Sequence, residues 1–383
     1  MHAGIDYQRY LNEKDAIADE LSAWMDKYQD AAVKNGWIPP TEFRSAEEVA
    51  EDRQQRFFMT KQLVTSMEQT NPDAEFSTDS PFSLMTTQEF AKYVKNSHIK
   101  GNPRRLSTQQ KSGDGGWSFS DIIDWGNDSW PQLGPGPMSG PAPRSGPTAS
   151  STRPYRDPAS ARDPAPRLNP SYTSTVDWSS KPCMAPIQNQ GECGSCWAFA
   201  GVAAAESALC IRQGGGSLVK LSEQNVASCS TQNFGCDGGY PPLTYEHIQQ
   251  QGICKARDDL YTSGNGQLAS CNKICTKVPV PIKSIKRLEG EAQLLTAISE
   301  YPVVVIVTAG NEVWKQYKSG VVSSCYGDDP DHAVVAVGYD SSSIKIRNSW
   351  GTSWGENGYI RLRRSGGGSG TCGLLTEVTH LVF

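Results

Sequence analysis

Gln190-Gly191-Glu192-Cys193-Gly194-Ser195-Cys196-Trp197-Ala198-Phe199-Ala200 sets a cysteine at the start of an apolar helix, with a glutamine a short way before it. A thiol is a strong nucleophile only as the thiolate, and a helix N-terminus beside a cationic neighbour is where its pKa falls. Reading Cys196 as that nucleophile demands a base, a residue to orient the base, and oxyanion donors elsewhere in the chain. Cys193-Gly194-Ser195-Cys196 also allows a redox pair or half of a zinc site. No second Cys-x-x-Cys occurs, and no thioredoxin-like βαβ pattern surrounds this one.

The chain has 383 residues, enough for two or more domains. Its net charge of -5 gives no strongly basic face to invite nucleic acid or anionic lipid. No apolar run is longer than Val303 to Val307, which is far too short to cross a bilayer. The first thirty residues carry no apolar signal core, which points to a trimmed start. All eleven cysteines lie between Cys183 and Cys372. Such density implies a disulfide framework in an oxidising compartment, although a reducing one with eleven thiols is the alternative. Eleven is odd, so five bridges and one thiol, Cys196, is the simplest division.

Residues 1–100 read as a small helical domain. Tyr7, Tyr10, Leu11, Ile17, Leu21, Trp24, Met25 and Tyr28 recur at helical spacing, and a second helix is expected from about Ala46 to Thr70, closed by Asn71-Pro72. Phe82 and Phe90 bracket a connection to a third helical turn near Thr87–Val94. Phe119, Ile122, Ile123 and Trp125 form an apolar knot that can dock in a groove or collapse locally. Residues 126–170 hold eleven prolines and five glycines without periodicity, the composition of a linker. Asn127-Asp128-Ser129 is a glycosylation sequon.

Residues 171–383 read as the globular body. A buried helix runs from Cys196 to about Ile211, and Leu221-Ser222-Glu223-Gln224 and Tyr245–Gln251 open two more. After Pro281 the pattern changes to strands, at Val303–Thr308, His332–Tyr339, Ile344–Asn348 and Tyr359–Arg363. A helical half followed by a β half implies an α+β fold with two subdomains and a cleft between them. Of the five histidines, only His332 opens a strand of the β half, where it can face Cys196; His247 and His380 read as surface or packing residues. Asn348-Ser349-Trp350-Gly351 follows the next strand.

Cys193-Gly194-Ser195-Cys196-Trp197, His332, Asn348, Val176-Asp177-Trp178, Leu221-Ser222-Glu223-Gln224, Gly235-Cys236-Asp237-Gly238-Gly239 and Trp354-Gly355-Glu356-Asn357-Gly358-Tyr359 occur in one order. In these motifs residues 172–383 resemble papain-family cysteine proteases of cathepsin L-like organisation. The resemblance implies a papain-like two-subdomain α+β fold, with a central helix in one half and a β-barrel-like other half, preceded by an all-α propeptide domain. It implies that Cys196 attacks the peptide carbonyl as a thiolate paired with protonated His332, which then protonates the leaving amine. Asn348 orients the imidazole, and Trp350 covers their hydrogen bond. Gln190 and the Cys196 N–H become the oxyanion donors, one of which can lower the barrier by ~3 kcal/mol.

The resemblance also implies the bridges Cys193–Cys236, Cys229–Cys271 and Cys325–Cys372. The remaining four close the count if Cys254 pairs with Cys275 and Cys183 with Cys210. Gly238, Gly239, Tyr240, Pro241, Ile306, Asp331, Ala333 and Trp350 match substrate-binding positions, and Glu377 the floor of the subsite for the second residue before the scissile bond. A carboxylate there can bind arginine when ionised and turn aside, or be protonated, for Leu or Phe; its alternative is to point to solvent.

Residues 1–100 are similar to the family's inhibitory propeptide, with Asp52, Arg56, Met67 and Asn71 on its long-helix pattern and Phe82 and Glu89-Phe90 on the next segment. Thr60 and Leu63 replace an expected Phe and Asn, and Leu84 an acidic residue. Residues 101–170 then form a cleft-spanning segment and linker, with residues 96 to 125 running through the cleft and cleavage near Leu168–Tyr172 freeing a body of 171–383. The expected protein is a monomeric, secreted or endolysosomal cysteine endopeptidase, made as a zymogen inhibited by its own propeptide and acting on proteins or peptides. No cofactor, metal, nucleic acid or membrane partner is expected. A binding or inhibitory protein on a peptidase scaffold is the alternative, and its mark would be loss of the nucleophile.

Overall fold

The computed structural model describes residues 2, 4–38, 44–95, 123–124, 175–327, 329–364 and 367–383. The proposed sequon, the cleavage region, and the apolar knot and cleft-crossing segment apart from Ile123–Asp124, lie outside the described residues.

The N-terminal region consists of α1 (Tyr7–Lys34), α2 (Ala46–Thr70), β1 (Ala74–Phe76) and α3 (Thr87–Lys95). Asp6 caps α1, and Ser45 with Glu48 forms a capping box on α2, so both helices begin where backbone donors find side-chain acceptors. The buried stripe of α1 is Tyr10, Ile17, Leu21, Trp24, Tyr28 and Ala32, whereas Tyr7 and Leu11 are nearly half exposed. The stripe is therefore narrower than its apolar spacing suggests, because α1 buries only the face that meets α2 and residues 79–80, with Tyr10 against Phe58 and Trp24 donating to Ser80 O. Inside the region Arg56 joins Asp52 to Glu89, at 2.9 and 2.6 Å.

Two short strands follow, β2 (Ile123–Asp124) and β3 (Val176–Asp177), and then α4 (Cys196–Arg212), α5 (Glu223–Cys229) and α6 (Pro241–Gln251). Helix α6 starts at Pro241, earlier than Tyr245, since proline suits the first helical turn. The motif Leu221-Ser222-Glu223-Gln224 has a structural use. Ser222 caps α5, Glu223 takes Lys220, and Gln224 Oε1 accepts from the N–H groups of Thr262 and Ser263.

A short pair, β4 (Ile253–Cys254) and β5 (Lys277–Val278), precedes the β half. That half holds β6 (Ser284–Leu288), α7 (Gly290–Glu300), β7 (Val303–Val307), α8 (Glu312–Gln316), β8 (Tyr317–Val322), β9 (His332–Tyr339), β10 (Ser343–Arg347), β11 (Tyr359–Arg363) and β12 (Val378–Val382). Two helices thus interrupt the stretch after Pro281 that its sequence assigns to strands. The cause in α7 is Leu294, Leu295, Ala297 and Ile298, which bury one helical face. The sheet runs β1-β8-β11-β10-β9-β7-β12-β6-β2, with β3 on β9.

Strands β7 and β9 are buried on both faces, which is why they read as continuous apolar runs. Alternate residues serve two cores. Val303, Val305, Val307, Val334 and Ala336 join the N-terminal helices, while Val304, Ile306, Ala333, Val335 and Val337 join α4. The N-terminal region is therefore continuous with the body's packing. Strand β1 adds antiparallel to β8, where Gly320, at φ +88°, lets the incoming backbone approach: a Cβ there would lie 2.3 Å from the Asp73 carbonyl. Beside it, buried Asn71 Oδ1 accepts from Ser323 N and Ser324 N, both at 2.9 Å, and Lys318 meets Asp79 at 2.9 Å.

Candidate active site

Cys196 opens α4 directly after its cap residue Ser195. The approach is fixed by the Cys193–Cys236 disulfide and by Gly194 N donating to Cys236 O at 2.9 Å. Trp197 donates its indole N–H to Gly235 O, and a side chain on Gly239 would meet the Trp197 ring at 2.6 Å. The glycines of the 235–239 loop thus make room for the helix start. They sit where the sequence places substrate contacts, with Gly238 at φ +103°.

His332 opens β9, paired with Val307. Its Nε2 lies 2.8 Å from Asn348 Oδ1, which also accepts from Ser349 N at 2.8 Å. An acceptor oxygen at that position fixes the neutral tautomer with the proton on Nε2, so the chemistry with sulfur falls to Nδ1. The next backbone N–H, from Ala333, donates to Cys196 Sγ at 3.3 Å. Cysteine and histidine are both fully buried. The Trp350 ring stacks on His332 at 4.7 Å and 25°, and edges of Trp314 and Trp354 support it at 6.1 and 5.1 Å.

Gln190 is buried and held at both ends: its Oε1 accepts from Ser349 Oγ at 2.6 Å, and its Nε2 donates to Cys193 O at 3.0 Å. This orients the amide N–H group toward the cysteine segment. Sequence reading missed Ser349 and Tyr261. The Tyr261 hydroxyl donates to Gln190 O at 2.8 Å and lies 3.0 Å from Ser195 Oγ. Ser349 sits inside a quoted motif and could have been found there; nothing local marks Tyr261.

Tyr240, the residue before α6, and Glu377, before β12, belong to opposite halves. Burial, then the nearby Glu377 carboxylate, push the Tyr240 phenol pKa up, and Arg287 opposes them. Glu377 O accepts from Ile306 N at 3.0 Å. Pro241, Ile306 and Ala333 are buried. Asp331 is spent on the backbone, accepting from Ala309 N at 2.7 Å and Gly310 N at 3.1 Å.

The N-terminal region closes over this site. Phe82 and Phe90 set their edges on Trp350 at 5.4 and 5.5 Å, and the Tyr93 hydroxyl donates to Gly191 O at 2.8 Å. The five disulfides are Cys183–Cys210, Cys193–Cys236, Cys229–Cys271, Cys254–Cys275 and Cys325–Cys372. Cys196 alone is outside a bridge. His380 stacks on Tyr301 at 4.9 Å, and half-buried His247 has its pKa lowered to about 4 by burial and by Lys277. Among the described residues no cluster of His, Cys, Asp and Glu could hold a metal.

The family model for papain family cysteine proteases matches residues 172–382. The chain belongs to the papain family. It is accordingly a hydrolase, a cysteine endopeptidase. It is 37% identical over 207 residues to mexicain of Jacaratia mexicana, covering 54% of this chain and 96% of mexicain. It is 40% identical over 207 residues to papain of Carica papaya, covering 53% of this chain and 58% of papain. The match therefore spans little more than half of papain's own length. The proform of the ragweed pollen allergen Amb a 11, a cysteine protease, is similar in fold over 100% of this chain and 99% of its own, with a TM-score of 0.67 at 23% identity.

Proposed function

We propose that the chain is the zymogen of a secreted or endolysosomal endopeptidase. In this reading residues 1–100 are the inhibitory domain, 101–170 the cleft-spanning segment and linker, and 171–383 the peptidase body. The observation that carries it is one line of contacts: Ala333 N on Cys196 Sγ, and His332 Nε2 on Asn348 Oδ1. The Cys196 thiolate attacks the carbonyl carbon, and the oxyanion is met by Gln190 Nε2 and the Cys196 N–H. His332 Nδ1 gives its proton to the leaving nitrogen, the C–N bond breaks, and a thioester remains. Water, deprotonated by Nδ1, attacks the thioester, releasing the acid product and restoring the thiolate. Asn348 accepts from Nε2 throughout, and Trp350 keeps water from that bond.

Mass spectrometry of the acid-incubated chain tests this. The expected result is loss of the N-terminal region through a cut near Leu168–Tyr172, a reactive Cys196 that an epoxide inhibitor labels, and an uncut Cys196→Ala chain that hydrolyses no peptide. Full peptide hydrolysis by the uncut chain would remove the zymogen reading; hydrolysis by Cys196→Ala would remove the mechanism.

Glu377 is the proposed floor of the subsite for the second residue before the scissile bond. Support comes from its carboxylate, which reaches Tyr240 on the opposite half and not bulk solvent alone. It takes Arg when ionised and admits Leu or Phe when turned aside or protonated. Glu377→Ala is expected to remove hydrolysis of the Arg peptide and spare the Leu peptide; equal losses on both would count against this role.

A further inference from the structure

Lys315 lies in α8, directly after Trp314, whose indole is 6.3 Å from the His332 ring and 6.1 Å from Trp350. It is 1% exposed. The N-terminal region covers it: Nζ donates to Thr60 Oγ1 at 3.2 Å, and the Lys315 carbonyl accepts from Ser80 Oγ at 2.6 Å. Gln316 beside it is covered in the same way, by Ser83 Oγ and Ser77 N. An ammonium has three donors, and here one hydroxyl meets them. Burial pushes the pKa down to about 7; Glu312 and Glu89 oppose that, and Arg56 adds to it. Of these neighbours only Glu312 belongs to the body. Once the N-terminal region leaves, water returns to Lys315 and its pKa rises toward the ordinary lysine range.

We infer that Lys315 is a masked specificity residue, which in the released protease favours substrates carrying Asp or Glu just after the scissile bond. The inference rests on the peptidase reading above. His332 protonates the leaving amine, so the chain beyond the scissile bond departs along the face of His332 and Trp350. One stretch of the N-terminal region covers both that face and Lys315, with Ser80 on the Lys315 carbonyl and Phe82 on Trp350, so its departure opens the two together. With Glu377 as the proposed floor for a residue before the bond, a lysine after it gives the two ends opposite charges. The departure at Thr60 gains a reason here. A Phe at that position offers no acceptor to the amine, while a carboxylate would pair with it strongly and oppose release; a hydroxyl hides the lysine without holding it.

The test uses acid-activated protein and peptide pairs that differ only by Glu or Gln at the first or second position after the bond. The expected kcat/KM ratio is about threefold in favour of Glu at low salt, the size of one partly screened ion pair. It should shrink toward one at high salt and vanish in Lys315→Gln and Lys315→Met. A ratio of one in the wild type, or a preference that survives in both variants, overturns the inference. Masking is read separately by an amine-acylating label. Lys315 should be protected in full-length Cys196→Ala and labelled in the activated protein, and equal labelling in both overturns the mask. Failure to hydrolyse any peptide would instead bring down the peptidase reading itself.

Discussion

Asn348 acts through one oxygen that accepts twice, from His332 Nε2 and from Ser349 N. Asn348→Ala leaves the imidazole without its acceptor and is expected to lower kcat about tenfold to a hundredfold, the range for a hydrogen bond to a charged group. Steady-state kinetics with a single fluorogenic peptide would check this, and a variant within twofold of wild type would exclude the orienting role. Tyr240 offers a second measurement at the same scale. Its phenol stands beside the Glu377 carboxylate, so Tyr240→Phe is expected to lower kcat/KM for an Arg peptide by about threefold to tenfold and to spare a Leu peptide; equal losses on both would point elsewhere. Cys196, His332, Asn348 and Gln190 were legible as candidates because each stands in a motif whose order is diagnostic, and the fold holds Asn348 on His332 and the Ala333 N–H on Cys196. Ser349 stood inside a quoted motif and was there to be found, whereas Tyr261 was illegible for a physical reason: it acts by holding Gln190, and a hydroxyl that positions a neighbour leaves no pattern of its own.

Among elements, the pairing of β1 with β8 decides how the N-terminal region is held. Neither strand was legible. β1 has three residues, and β8 carries Lys318, Ser319 and Gly320 in its middle, so no alternation of apolar residues marks it. By contrast α2 was legible to its ends, because Ser45, Glu48 and Asn71-Pro72 are start and stop signals in themselves. Asn71 then continues into the next structure, capping two backbone N–H groups of the body. Asn71→Ala removes two half-buried hydrogen bonds, together worth about 2 kcal/mol. Processing of the full chain at fixed mild acidity should therefore run at least about tenfold faster. An unchanged rate would mean that the β1–β8 contact is not what limits release.

For the molecule as a whole, the two-core plan follows from β7 and β9, which read as strands in the sequence and are buried on both faces in the fold. What covers each face was less legible, since α7 and α8 interrupt a stretch otherwise rich in strands. The body also holds a buried charge cluster, in which Lys220 meets Glu206 at 3.1 Å and Glu223 at 2.5 Å. Burial pushes the Glu206 carboxyl up to about 7, although Lys220 opposes it. A carboxyl raised above its ordinary value of about 4.3 contributes stability that is complete below that value and lost as pH rises through 7. Glu206→Gln should therefore flatten the fall in melting temperature between pH 5 and pH 8, measured by calorimetry on the Cys196→Ala chain. A fall as steep as in the parent would assign it to other groups.

The odd sulfur has a consequence for how the chain is assembled. Five bridges must close while an eleventh cysteine stands three positions from Cys193, and thiol–disulfide exchange needs a thiolate that can reach a disulfide. In the folded full chain Cys196 is 0% exposed, and Phe82 and Phe90 close on Trp350 at the same site. That burial withholds the sulfur from bridge shuffling, so under the proposed zymogen reading correct oxidation and delayed reactivity are two results of one burial.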